Sequence, residues 1–171
     1  MRTKTRKERY EEKGKNAKIF PFEVCTVNFA VDDNVGFIVR AAACFGASQV
    51  NVIGSMPSHS VLAGRSGTTQ ELVHIKQFAN VHQFLEYIRL NEIHLISAEL
   101  DNEAISIHEY LFPINKQICV VIGHETSGIP TEILMNSDKV FIPMPGRGFC
   151  LNTSQTGNIF LYEMSKRYIT N

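Results

Sequence analysis

The sequence predicts an α/β domain built on a mostly parallel sheet with helices on both faces. Three observations carry that expectation. Short runs rich in β-branched residues alternate with helical stretches from Phe22 to the end of the chain. The run Ile118–Ile122 contains no polar residue, the pattern of a strand covered on both faces. No internal repeat or low-complexity linker interrupts the alternation, and 171 residues suit one domain with a proper core.

The elements follow in order. Residues 1–18 have little apolar content and no sustained period, so a mobile arm or frayed helix is expected, with the folded domain spanning 19–171. Val24–Phe29 reads as the first strand. Asp32, Asp33 and Asn34 offer N-caps for a helix running to about Phe45, stopped by Gly46. Gln49–Ile53 is the next strand. The stretch from Gly54 to Gln70, rich in Ser, Gly and Thr, reads as a long loop. Leu72–Phe78 is a strand, and Val81–Leu90 is a helix with Val81, Phe84, Leu85 and Ile88 on one face. Ile93–Ala98 is a strand, 99–115 is irregular, and Ile118–Ile122 is the buried strand. Pro130–Asn136 is a short helix with Pro in its first turn. Lys139–Met144 closes the sheet, and Asn152–Tyr168 is the last helix, with Phe160, Leu161, Met164 and Tyr168 as its apolar stripe.

Composition narrows the functional classes. The longest apolar run falls far short of the roughly 18 residues of a membrane span, and the charged N-terminus does not read as a signal peptide. The four cysteines are scattered without a C-x-x-C pair, which fits reduced thiols in a cytoplasmic protein. The six histidines show no metal-ligand spacing, so no metal is expected. The overall charge is zero but unevenly placed. Residues 1–18 hold eight basic and three acidic residues, and the remainder holds nine basic and fourteen acidic ones. A basic arm on an acidic body fits attraction to a polyanion such as nucleic acid; it fits a solvated tail equally well.

Three stretches carry chemistry. In the first, Asn34 stands at a helix start, Gly36 follows in the first turn, and Arg40 lies about 9 Å further along the axis, followed by small residues. Gly36 implies a close approach to the backbone. A guanidinium at Arg40 suits bidentate contact with a phosphate, although an N-cap Asn and a surface Arg in a salt bridge would give the same pattern. In the second, Gly123-His124-Glu125-Thr126-Ser127-Gly128 leaves the buried strand in a tight loop and places Glu125 near a helix start, which keeps it ionised. His124 ranks below Glu125, since a lone loop histidine is more often simply solvated. In the third, Ile142-Pro143-Met144-Pro145-Gly146 leads through Cys150, Leu151 and Asn152 into the last helix. Such a loop at the carboxyl end of a strand brings bare backbone to a ligand. Cys150 reads either as a packing thiol or as a nucleophile.

Together these stretches resemble the SpoU (TrmH-like) RNA methyltransferases of the SPOUT superfamily over about residues 22–168. Asn34 and Arg40 match the family's first motif. Gly123, Glu125 and Gly128 match its second. Ile142, Pro143, Met144, Gly146, Leu151, Asn152 and Ser154 match its third, and Arg65-Ser66-Gly67-Thr68 resembles the loop before its third strand. Two departures stand out: Cys150 replaces the usual Ser, and Gln155-Thr156-Gly157-Asn158 replaces more apolar small residues.

The resemblance implies a deep trefoil knot in the C-terminal third. It implies S-adenosylmethionine as cofactor, held by Ser97, Ala98, Gly123, Ile142, Met144, Gly146, Cys150 and Leu151. It implies a homodimer in which Arg40 of one subunit faces the cofactor of the other. The implied reaction is methyl transfer to a ribose 2′-hydroxyl of RNA, with Arg40, Asn34, Glu125 and Asn152 as catalytic residues and Arg147 and Gly148 as RNA contacts. By analogy with compact family members, tRNA is favoured over rRNA as substrate. The reading from another class is a non-catalytic RNA-binding protein that retains the fold, which Cys150 favours and the four retained polar residues oppose.

Overall fold

The computed structural model describes residues 4–169. Seven strands form one parallel sheet in the order β3-β2-β1-β6-β4-β7-β5. They are β1 (Phe20–Val27), β2 (Ala47–Ile53), β3 (His74–Phe78), β4 (His94–Ala98), β5 (Ile105–Ser106), β6 (Ile118–Ile122) and β7 (Asp138–Phe141). The helices are α1 (Arg6–Lys15), α2 (Asp32–Phe45), α3 (His59–Ser66), α4 (Val81–Leu90), α5 (Thr131–Leu134) and α6 (Thr153–Ile169). The expected parallel α/β architecture is therefore present.

Alternation along the central strands divides the core into two layers. Phe22 and Val24 of β1, with Ile118, Val120 and Ile122 of β6, face the layer that holds Ile38 and Val39 of α2 and Phe160, Leu161 and Met164 of α6. Cys25, Val27, Cys119 and Val121 point the other way, toward Phe84 and Ile88 of α4 and Ile133 of α5. Period two along a strand requires this split, and it explains why β6 is apolar at every position.

Several elements differ from the sequence reading. The expected loop at 54–70 contains α3, capped by Ser58, whose hydroxyl accepts from the backbone of Val61; a one-turn-plus 3-10 segment at Gly67–Leu72 follows. Residues 6–15 form a helix opened by a capping box, in which Thr5 and Glu8 satisfy each other's backbone. Arg2 of the basic arm lies outside the described residues. The stretch 99–115 contributes the short edge strand β5, and β7 ends at Phe141, leaving Ile142–Met144 in the loop. α5 is limited to Thr131–Leu134. β1 begins at Phe20, four residues earlier than its sequence pattern suggests, because the charged Glu23 is buried inside it. The Glu23 carboxylate accepts from Asn51, Tyr87 and Gln117, so its burial is matched by donors.

Strand order positions the site. β1, β6, β4 and β7 are consecutive neighbours in a parallel sheet, so their carboxyl ends open on one edge. The first motif follows β1, the second follows β6, and the third follows β7. Residues separated by more than a hundred positions in sequence therefore meet along one rim.

Candidate active site

A continuous chain of hydrogen bonds joins the three motif loops. One carboxylate oxygen of Glu125 accepts from the backbone N–H of Ala30 at 2.9 Å, and the other accepts from the Asn34 side-chain amide at 2.8 Å. The Asn34 carbonyl oxygen accepts from the Asn152 amide at 3.1 Å. The Asn152 carbonyl oxygen caps α6, accepting from the Ser154 N–H at 2.8 Å and its hydroxyl at 2.6 Å.

The polarity of this chain is fixed from both ends. An ionised carboxylate only accepts, and a backbone N–H only donates. Asn34 must therefore turn its amide to Glu125 and its carbonyl to Asn152, and Asn152 must turn its carbonyl to Ser154. Asn34 is 4% exposed, so its polar atoms depend on these partners. Partial burial pushes the Glu125 carboxyl upward. The N–H of Ala30, the loop backbone and the Asn34 amide outweigh that, and its pKa lies below the usual carboxylate range.

Local sequence explains the geometry. A Cβ on Gly123 would stand 2.5 Å from the carbonyl carbon of Gly128, so the second loop closes on itself only with glycine there. A Cβ on Gly36 would stand 2.6 Å from the Arg65 Cβ. The close approach expected at Gly36 is thus made by α3, and Arg65 forms an ion pair with Asp33 at 2.8 Å. His124 is part of the loop framework: its Nδ1 accepts from the N–H groups of Thr126 and Ser127.

Beside the network, the third loop and the ends of β4 and β7 enclose a cavity of about 230 Å³. Ala98, Ile142, Met144, Cys150 and Leu151, five of the residues that the family resemblance assigns to the cofactor, line it. Three expected residues do not. Ser97 is fully buried and its hydroxyl bonds that of Ser137 at 2.6 Å; Gly123 packs against Gly128; Gly146 is exposed in the loop. Sequence reasoning missed Glu99, Leu100, Thr156 and Phe160 in the wall. It also missed Ser154 as the last link of the network, although an N-cap followed by a polar second residue is a readable signal. A larger hollow, about 510 Å³, lies against α4 and the start of β4, on the far side from all three motifs.

Arg40 is not brought to this site within one chain. Six residues of helix turn it about 120° away from Asn34. It is exposed, and no hydrogen bond or ion pair engages it among the described residues. The fit to a nucleoside cofactor rests on the cavity itself: apolar walls suit a flat base, and one carboxylate, Glu99, is the acidic group among its lining residues. Among the described residues no group of three or more His, Cys, Asp or Glu side chains is placed to hold a metal ion, and no helix is long and apolar enough to cross a membrane.

The chain was compared with known proteins. Residues 21–162 match the model of the SpoU rRNA Methylase family. A tRNA (guanosine(18)-2′-O)-methyltransferase of Escherichia coli (strain K12) is 23% identical over 145 residues, covering 84% of this chain and 62% of the relative. A 23S rRNA (guanosine-2′-O-)-methyltransferase of Acinetobacter baylyi is 28% identical over 138 residues, covering 78% of this chain and 55% of the relative. The chain thus spans about three fifths of the length of these relatives. In fold it is similar to an AdoMet-bound rRNA methyltransferase from Sinorhizobium meliloti, with a TM-score of 0.78 at 21% identity over 88% of this chain and 59% of that one.

Proposed function

The chain belongs to the SpoU rRNA methylase family, and from that premise we propose that it transfers a methyl group from S-adenosylmethionine to a ribose 2′-hydroxyl of RNA. The observation that carries the reading is the hydrogen-bonded chain Glu125–Asn34–Asn152–Ser154, set beside a cavity on the carboxyl edge of the sheet. Supporting it are the activities of the two relatives, both RNA 2′-O-methyltransferases, and the AdoMet-bound state of the Sinorhizobium meliloti structure.

In this reading Ala98, Ile142, Met144 and Leu151 hold the cofactor, whose sulfonium supplies the activated methyl group. The chain's own residues do the rest. Asn34 and Asn152, locked by Glu125 and Ser154, orient the substrate side of the cavity. Arg40 grips a phosphate of the RNA and stabilises negative charge developing on the 2′-oxygen. Because Arg40 is free on the surface of its own chain, it serves the cavity of a second copy, and the active form is a homodimer acting in the cytoplasm. The trefoil knot belongs to the same reading, supported by the insertion of β6 between β1 and β4 and of β7 between β4 and β5.

The substrate is taken as tRNA, following the Escherichia coli relative, which covers more of this chain than the rRNA enzyme does. Mass spectrometry of nucleosides and fragments from tRNA and rRNA, in cells with and without the gene, decides it. One ribose methyl group missing from tRNA is expected. A methyl group missing from rRNA would move the substrate, and no change in either RNA would overturn the activity. Cys150, exposed in the cavity wall, is the feature that favours a non-catalytic RNA-binding protein. Calorimetry with S-adenosylmethionine separates the two, since a degenerate site binds it weakly or not at all.

The basic arm enters as an RNA contact. Lys7, Arg9, Lys13 and Lys15 of α1 are exposed. Deleting residues 1–18 is expected to weaken RNA binding and to reduce the slope of log K against log salt by about 0.7 per lost phosphate contact. Filter binding between 50 and 200 mM salt measures it (about the range over which such contacts dominate); an unaltered slope would remove the arm from RNA binding.

A further inference from the structure

Glu99 is the one acidic residue in the wall of the cavity, and no part of the network described above uses it. It follows the last residue of β4, the strand that lies between β6 and β7. Its place is therefore between the second and third motif loops. Its backbone is anchored, since the Glu99 N–H donates to the Val140 carbonyl at 3.1 Å. One carboxylate oxygen accepts from the N–H of Leu100 at 3.2 Å. The other, Oε2, lies 3.3 Å from where a Cβ on Gly128 would stand, over bare backbone of the second motif, and accepts no hydrogen bond among the described residues.

The carboxylate also lacks a counter-charge. Among the described residues no cation pairs with Glu99, and Lys139 on β7 is engaged by Asp101 and Glu103, each at 3.3 Å. A half-buried carboxylate among Ile142, Leu151 and Phe160 leaves an acceptor oxygen open to donors on a ligand in the cavity.

We propose that Glu99 recognises the ribose of the cofactor, its carboxylate accepting hydrogen bonds from the 2′- and 3′-hydroxyls. This rests on the S-adenosylmethionine reading above. Four parts of that molecule carry donors or positive charge, and the chemistry separates them. Methyl transfer removes the positive charge from sulfur, so a carboxylate beside the sulfonium would stabilise the ground state more than the transition state and slow the reaction. The amino-acid tail sets its ammonium beside a carboxylate of its own, so that its net charge is zero and Glu99 would face a second anion there. The adenine edge sets an amine next to a ring-nitrogen lone pair, so one carboxylate oxygen would face another acceptor. The vicinal diol presents two adjacent donors with no anion or ring-nitrogen lone pair beside them, and a carboxylate accepts both together. The same pairing of an acidic residue with a ribose hydroxyl at a strand's carboxyl end recurs in dinucleotide-binding sheets.

Calorimetry on the full-length protein tests this, with S-adenosylmethionine, S-adenosylhomocysteine, and the 2′-deoxy and 3′-deoxy forms of S-adenosylhomocysteine as ligands. Wild type is expected to bind each deoxy form roughly tenfold or more weakly than the parent. Glu99→Ala is expected to bind S-adenosylmethionine and S-adenosylhomocysteine with equal losses of that order, and to bind the deoxy forms with little further loss. Three results overturn the assignment: undiminished binding of both deoxy forms by wild type, a Glu99→Ala loss confined to S-adenosylmethionine, or losses from variant and deoxy ligand that multiply. The wild-type arm keeps the test decisive even where the variant folds poorly. Failure of wild type to bind any of the four would instead overturn the cofactor reading on which this one rests.

Discussion

Replacing Arg40 with Ala is expected to lower the methyl-transfer rate by about 10²–10³-fold, the usual cost of removing a donor from a developing oxyanion. The Kd for S-adenosylmethionine should stay within about twofold, because Arg40 is exposed on α2 and is not part of the cavity wall. Stability should change by no more than about 0.5 kcal/mol, since no described residue depends on the guanidinium. This combination of large rate loss, intact binding and intact fold separates a catalytic role from a structural one. Arg40→Lys should recover only part of the rate, because a lysine replaces the two-pronged guanidinium with a point charge. Mixing Arg40→Ala subunits with subunits whose cavity is blocked, for example by Ala98→Trp in its wall, should restore activity through the hybrid that pairs an intact Arg40 with an intact cavity. Turnover equal to wild type in the Arg40→Ala protein would remove this residue from the mechanism.

The legible parts of this molecule were those written in one stretch of sequence. The buried strand Ile118–Ile122 and the Gly46 stop each depend on neighbours along the chain, and each was readable. Asn34, Glu125 and Asn152 were grouped only by the family resemblance, and they meet because a parallel sheet sends every motif loop to one edge. The missed features have two causes. Some signals were present but outweighed: Thr5 and Glu8 spell a capping box in a segment whose low apolar content suggested a mobile arm or frayed helix, and Ser58 caps α3 in a segment read as a loop for its Ser, Gly and Thr content. Others are written only in three dimensions. Glu23 reads as a strand breaker until Asn51, Tyr87 and Gln117 are seen around it. Glu99 reads as a loop acid until the third motif closes over it. Ser97 shows the same limit at a strand end. Sequence places it near the motif loops, and only the structure shows that its hydroxyl turns inward to Ser137.

Glu125→Gln is expected to destabilise the protein by about 1–3 kcal/mol and to lower its rate of transfer as well. The two donors aimed at this side chain, the Ala30 N–H and the Asn34 amide, need two acceptor oxygens. Gln supplies one, and its own amide meets a donor head-on. If Asn34 then rotates to recover a partner, its carbonyl no longer faces Asn152, and the orientation fixed from the carboxylate is lost through to α6. For a chain of this size each kcal/mol corresponds to about 2–4 °C in Tm, so thermal unfolding at pH 7 resolves the effect. The pH dependence identifies the charge as the cause. The Glu125 pKa is depressed in the folded state, so its contribution is fully present above the unfolded value of about 4.3 and is lost as pH falls through the lower folded value. The stability difference between wild type and Glu125→Gln should therefore hold steady from pH 8 down to about 5 and narrow below about 4.3. A gap that persisted undiminished to about pH 3 would show that side-chain shape, and not the ionised carboxylate, organises the three loops.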